Sequence, residues 1–290
     1  MSNRFISWSI FVLLCLIWGS SFILMKVGKE GLTAVQVAGV RIFSASAVLL
    51  PFAIYYISRL PRQKIPVIIL TGVTGNLIPA FLFATAVLKM DSSLVGILNS
   101  LTPICVVVLG VSFFRDRIGA KKITGVLVGF AGLCLLTFTQ EDVSLDNLGY
   151  AGLVIIATLS YGLNVNMVGH YLKGVHPVQA AAVSLAFLFV PTLLILWWDG
   201  FFEVDFSASM VRWSILASVL LGLMGSAVAT ALFYILVQKA GTLFASLVTY
   251  GIPFVALIWG LVYGEAVTWI EMGCLAIILA GVYLANRPGN

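Results

Sequence analysis

The residues of this chain that could do chemistry are polar and aromatic side chains set inside long apolar runs, where each polar group is expensive to keep. Asn99, Thr102 and Pro103 stand at i, i+3 and i+4, one face of a helix, and Ser246, Thr249, Tyr250 and Pro253 stand at i, i+3, i+4 and i+7. Asn76, Pro79 and Phe83 follow Gly72 and Gly75, while Thr230 and Tyr234 follow Gly222, Gly225 and Ser226. Trp18, Ser21, Phe22 and Met25 share a face, as do Tyr161 and Asn164, with Asn166 and Met167 close by. Amides, hydroxyls and rings are recognition groups. Rings hold the apolar part of a neutral or zwitterionic solute and amides hydrogen-bond its polar part. Taken singly, each residue fits helix packing as well as a cavity wall; taken as a set they favour a cavity.

Arg41 is the one charge well within an apolar run. A buried guanidinium must find an anion, carbonyls or water. It fits two roles, attraction of a substrate carboxylate or the holding of a helix end through carbonyl bonds, with the structural role slightly ahead.

The absent chemistry is as informative. No Asp or Glu lies deep in an apolar run, where a proton relay or a cation-drug site needs one. No cluster of Lys and Arg is there for a phosphate, and no G-x-x-x-x-G-K loop for ATP hydrolysis. Cys15, Cys105, Cys134 and Cys274 all fall in apolar runs, which argues against disulfides and metal. His170 and His176 sit at run edges and are not expected to be catalytic. No enzyme activity, cofactor or metal is expected, and transport by exchange or facilitated diffusion needs none. Coupling through Asp91 or Glu265 at an outer edge stays open.

The elements that must position these residues are membrane helices. Of the 290 residues 61% are hydrophobic and 9% charged, with mean hydropathy +1.11, whereas soluble domains carry roughly a quarter charged residues. The bilayer is therefore the solvent, and the net charge of +5 says nothing of nucleic acid, which is not an expected partner. Ten segments have the ~20 apolar residues that a span needs: Phe5–Val27, Ala34–Ile57, Pro66–Leu88, Ser92–Phe114, Lys122–Thr139, Gly149–His170, Pro177–Trp198, Met210–Gln238, Thr242–Tyr263 and Val267–Asn286. Unpaired backbone is too costly in lipid for anything but helices, and period-two alternation is absent. Phe5–Val27 is too long for a signal-peptide core and is expected to be retained. With the N-terminus inside, eleven of the 16 Lys and Arg residues fall on the inner side and ten of the 11 acids outside, as positive-inside orientation requires. Both termini are expected in the cytoplasm of a bacterial-type plasma (inner) membrane.

The spans form two copies of one pattern. A shift of 150 residues lays Leu70–Gly110 on Leu220–Gly260, matching Gly72 with Gly222, Gly75 with Gly225, Phe83 with Phe233, Lys89 with Lys239 and Pro103 with Pro253. A shift of 143 matches Gly19 with Gly162 and Gln36 with Gln179, and puts Ser184 where Arg41 stands. Residues 1–140 and 148–290 are thus predicted to be two repeats of five spans each. Five is odd, so the second copy enters the membrane from the opposite side. Inverted repeats of this kind rock about a site near the midplane in transporters. Gly72, Gly75, Gly222 and Gly225 allow close helix contact and are expected to slide as the halves rock. Pro103 and Pro253 are expected to put the same bend in both copies.

These features resemble the drug/metabolite transporter superfamily and, within it, the EamA-type ten-span permeases, over nearly the whole chain as two repeats. The residues that carry the resemblance are Trp18-Gly19-Ser20-Ser21-Phe22, Arg41 with Phe43, Pro103 and Pro253, and Gly264-Glu265. It implies a central cavity between the halves and export of amino acids and related metabolites, with the aromatic amino acid exporters as the first comparison. Small multidrug exporters need a membrane Glu in the first span, which Phe5–Val27 lacks; sugar-phosphate translocators need several basic cavity residues, where this chain has Arg41. The expectation is an all-α permease, a monomer or weak homodimer, exporting a small amphipathic solute. The candidate binding residues are Trp18, Ser21, Asn76, Pro79, Phe83, Asn99, Pro103, Tyr161, Asn164, Thr230, Tyr234, Tyr250 and Pro253. Export of another metabolite or drug-like solute remains open, as does a non-transporting scaffold or lipid-modifying enzyme.

Overall fold

The computed structural model describes residues 3–87, 89–90, 92–139, 148–262 and 268–286, and all regular structure among them is helical. Asp91, Glu141, Asp142, Asp146, Gly264 and Glu265 lie outside the described residues. The α-helices are α1 (Asn3–Gly31), α2 (Ala34–Ile57), α3 (Ile65–Gly72), α4 (Ile78–Val87), α5 (Ser92–Asn99), α6 (Thr102–Phe114) and α7 (Ala120–Thr139). They continue as α8 (Ala151–Tyr171), α9 (Pro177–Ala186), α10 (Phe189–Trp198), α11 (Ser209–Gly222), α12 (Ala229–Ala240), α13 (Thr242–Ser246), α14 (Val248–Val262) and α15 (Trp269–Ala285). Seven helical segments among the described residues, from Arg4–Gly31 to Thr242–Trp259, are long and apolar enough to cross a membrane, and Thr102–Phe114 and Trp269–Ala285 are shorter apolar helices. Local sequence explains several helix starts. Thr33 with Gln36 and Thr268 with Glu271 form capping boxes ahead of α2 and α15, which satisfy otherwise orphan N–H groups. Pro177 stands in the first turn of α9, where its missing N–H costs nothing.

Several expected spans are interrupted. Two π-helical turns, Val73–Leu77 and Leu223–Val228, separate α3 from α4 and α11 from α12. They enclose Gly75 and Gly225, the matched glycines of the two copies. The span Pro177–Trp198 is divided between α9 and α10 at Phe187–Leu188; Pro191, in the first turn of α10, has no N–H for the Phe187 carbonyl four residues back, which favours a break there. The expected common bend differs between copies. Pro103 opens α6 just after the break at Ser100–Leu101, whereas Pro253 lies inside α14 and the ninth-span break falls earlier, at Leu247.

The packing is reciprocal between copies. A Cβ on Gly72 would fall 2.8 Å from the Ser184 carbonyl carbon, and one on Gly222 would fall 3.1 Å from that of Arg41, the residue matched to Ser184. A Cβ on Gly75 would meet Asn164 at 2.5 Å, and one on Gly225 would meet Ser21, its match, at 3.1 Å. Gly162 crosses Cys105 and Gly19 crosses Val255 in the same fashion. Rings follow suit: Trp18 lies 5.4 Å from Phe233, and Tyr161 stacks 6.0 Å from Phe83. Small residues at crossings let backbones approach closely, which is how helices associate in lipid. The exterior stays apolar, with Phe113, Ile54 and Val262 exposed, and Trp198, Trp213 and Trp269 exposed at helix ends, the place for interfacial rings.

Candidate functional site

The two π turns, the α5–α6 break and the α13–α14 break meet at a central cavity of about 160 Å³, while the α9–α10 break lies outside its lining. At one probe sphere per water that is room for roughly ten waters, the scale of a small metabolite. α1 contributes Trp18, Ser21 and Met25, α2 Arg41, the first π turn Gly75 and Asn76, and the α5–α6 break Asn99 and Thr102. Tyr161, Asn164 and Val165 come from α8, Gly225 from the second π turn, and Thr230, Phe233 and Tyr234 from α12. Ala245 and Ser246 of α13 and Thr249 and Ile252 of α14 complete the lining.

The π turns explain part of this geometry. In a regular helix the Ala229 N–H would bond the Gly225 carbonyl; here it bonds the Met224 and Ser226 carbonyls instead. The Gly225 oxygen accepts from Trp18 Nε1 at 3.0 Å and from Arg41 Nη2 at 3.3 Å. Arg41 Nε donates to Ser226 Oγ at 2.8 Å. Thr230 Oγ1 donates to Asn76 Oδ1 at 3.2 Å, joining the two copies across the cavity. Asn164 Nδ2 donates to the Thr71 carbonyl at 2.6 Å. Asn99 Oδ1 is buried and has no hydrogen-bond partner among the described residues. π insertions are frequent at functional sites because they redirect backbone groups in this way.

Of the candidate binding residues, Trp18, Ser21, Asn76, Asn99, Tyr161, Asn164, Thr230 and Tyr234 line this cavity, with Arg41, Gly75 and Gly225. Pro79, Phe83, Pro103, Tyr250, Pro253, Gly72 and Gly222 stand outside its lining. Phe83 backs the cavity through Tyr161. Tyr250 is fully buried, its hydroxyl donating to the Val126 carbonyl at 3.0 Å. Gly72 and Gly222 sit at the helix crossings already described. Phe233 was legible only as the repeat match of Phe83, and Val165, Ala245 and Ile252 carry no polar signal to mark them. Among the described residues there is no group of three or more metal-ligating side chains. The one ion pair among them, His170 Nε2 to Asp116 Oδ1 at 2.9 Å, lies apart from the cavity where α6 ends beside α8.

Apolar helices long enough to span a bilayer, surrounding a small cavity lined by rings, amides, hydroxyls and one guanidinium, define an integral membrane protein with room for a small solute. The sequence profile of the EamA-like transporter family matches residues 6–138 and again 148–287, and the chain belongs to that family. It is 21% identical to an uncharacterized transporter of Archaeoglobus fulgidus, over 97% of this chain and 98% of that one. It is 24% identical to a probable amino-acid metabolite efflux pump of Escherichia coli (strain K12), over 95% of this chain and 83% of that one. A solved crystal structure of a protein overlays it with TM-score 0.75 at 16% identity, covering 96% of both chains, so the fold is shared.

Proposed function

We propose that this protein exports small amphipathic metabolites, foremost amino acids with aromatic or large neutral side chains, by alternating access through ten spans arranged as two inverted five-helix repeats. The observation that carries the reading is the cavity, where rings, amides and one guanidinium from both family-matched segments converge. Trp18, Tyr161 and Phe233 would hold the apolar part of the solute, and Asn76, Asn99, Asn164 and Thr230 its polar part. Reciprocal crossings such as Gly72 on Ser184 and Gly222 on Arg41 are what a two-fold relation between copies produces. Such a relation lets one set of contacts open while its counterpart closes. The likeness to a probable amino-acid metabolite efflux pump of Escherichia coli supports amino-acid metabolites as the solute class. The excess of Lys and Arg on one side supports cytoplasmic termini in a bacterial inner membrane.

Counterflow in proteoliposomes tests this. Vesicles loaded with one class of unlabelled amino acid are followed for uptake of the labelled form, with and without a pH gradient. Uptake of aromatic or large neutral amino acids that ignores the gradient is expected. Absence of counterflow for every amino-acid class would overturn the solute assignment. Uptake that needs the gradient would overturn uncoupled exchange.

A further inference from the structure

We propose that Arg41 is the carboxylate anchor of the cavity, so that the accepted solute carries a carboxylate; this rests on the transport reading above and narrows its substrate class. A guanidinium presents five N–H donors in a planar fork. Two are used, Nε on Ser226 Oγ and one on the Gly225 carbonyl, which leaves three without a protein acceptor among the described residues. The two bonds made fix the plane of the group, and the half-buried side chain borders the cavity. A residue acting only as a staple for the Gly225 carbonyl has no need of a place on the cavity wall or of unused donors.

Its charge is also uncompensated. The His170–Asp116 pair is the one ion pair among the described residues, so Arg41 has no described carboxylate within pairing distance. The other polar lining groups are neutral amides and hydroxyls. A desolvated charge without a counter-ion is costly, and a solute anion entering the cavity relieves that cost. The planar fork matches a carboxylate bidentately. A phosphate would also fit the fork, but its second charge calls for a second cation, and Arg41 is the one cationic residue among the described lining. Asn99 Oδ1, without a partner among the described residues, is an acceptor suited to an ammonium, which makes amino acids the carboxylates that satisfy both groups. The matched position in the other copy is Ser184, so the cavity has one anchor and the solute one orientation.

The test is ligand-dependent thermal stabilisation of the purified full chain in detergent, with three matched probe series. These are large neutral amino acids, the amines left by removing their carboxylates, and the acids left by removing their amino groups; phenylalanine, phenethylamine and 3-phenylpropanoate form one set. Both acid series are expected to stabilise the protein and the amines are not. Arg41→Gln should weaken acid binding roughly 10- to 100-fold, the loss of a charged hydrogen-bonded partner, and Arg41→Lys should restore part of it. Ser226→Ala, which keeps the charge but frees its aim, should give a smaller loss and provides the test if Arg41→Gln does not fold. Amines that stabilise as well as acids would overturn the anchor, as would wild-type acid affinity in Arg41→Gln. Acids silent in the wild type would also overturn it. Amine or neutral-solute binding with counterflow intact would end the anchor while the transporter reading stands; loss of counterflow for every class would end that reading instead.

Discussion

The reciprocal glycine crossings lead to a quantitative prediction. In Gly72→Ala the new methyl falls 2.8 Å from the Ser184 carbonyl carbon and closer still to its oxygen; in Gly222→Ala it falls 3.1 Å from the Arg41 carbonyl carbon. Ordinary carbon contacts are about 3.5–4.0 Å, and backbone cannot swing aside as a side chain does, so the helices must part by most of an ångström. Overpacking of this kind costs about 1–3 kcal/mol, and backbone against backbone puts these sites at the upper end. Alanine returns about 1 kcal/mol of helix propensity, for a net loss of about 2 kcal/mol. At 2–4 °C per kcal/mol that is a fall of about 4–8 °C in melting temperature. Gly273→Ala is the control, because nothing lies within 4 Å of its new methyl; it keeps the propensity gain and should melt at or slightly above wild type. The assay is melting of the detergent-purified protein at one scan rate. Gly72→Ala melting at or above wild type would refute the close-contact reasoning. A large fall in one glycine variant with none in the other would refute the equivalence of the two crossings.

Three further predictions concern single sites. Gly75→Leu and Gly225→Leu should abolish transport while leaving membrane insertion intact, since the added bulk meets Asn164 and Ser21; counterflow and membrane fractionation together read this out, and normal rates in both variants would exclude sliding at these contacts. Tyr250→Phe removes one buried hydroxyl that bonds the Val126 carbonyl, so about 1 kcal/mol of stability should go with solute affinity unchanged; a tenfold fall in affinity would return Tyr250 to the cavity wall. Asp116→Ala removes the hydrogen-bonded contact with His170, both partners being partly exposed at 27% and 24%, and solvent limits the cost to about 1 kcal/mol or less, measurable as a small fall in melting temperature.

What the sequence by itself determined follows from the bilayer. A chain with so few charges cannot build a water-soluble surface, unpaired backbone cannot stand in lipid, and helix and membrane class follow directly. Ala34–Ile57 was read from its apolar length alone and α2 has those bounds, its start set by the Thr33–Gln36 capping box seen in the fold. The duplication was legible because glycines at helix crossings are costly to replace and stand in one unbroken register in both copies. It also marked Asn76, Asn99, Asn164 and Thr230, since an amide or hydroxyl deep in an apolar run needs a reason.

Only the tertiary structure decided which of those reasons applied. Asn99 and Tyr250 look alike in sequence as polar residues on an apolar helix, yet Asn99 borders the cavity while Tyr250 spends its hydroxyl on a carbonyl of another helix. The π turns around Gly75 and Gly225 have no composition that distinguishes them from α-helix, because one extra residue in a turn is stabilised by what the released carbonyl meets. At Gly225 that is Trp18 and Arg41, 207 and 184 residues away in sequence. Arg41 shows the division most clearly: the sequence established that a buried charge needs partners, and the fold decided that it has two, with three donors left facing no described acceptor.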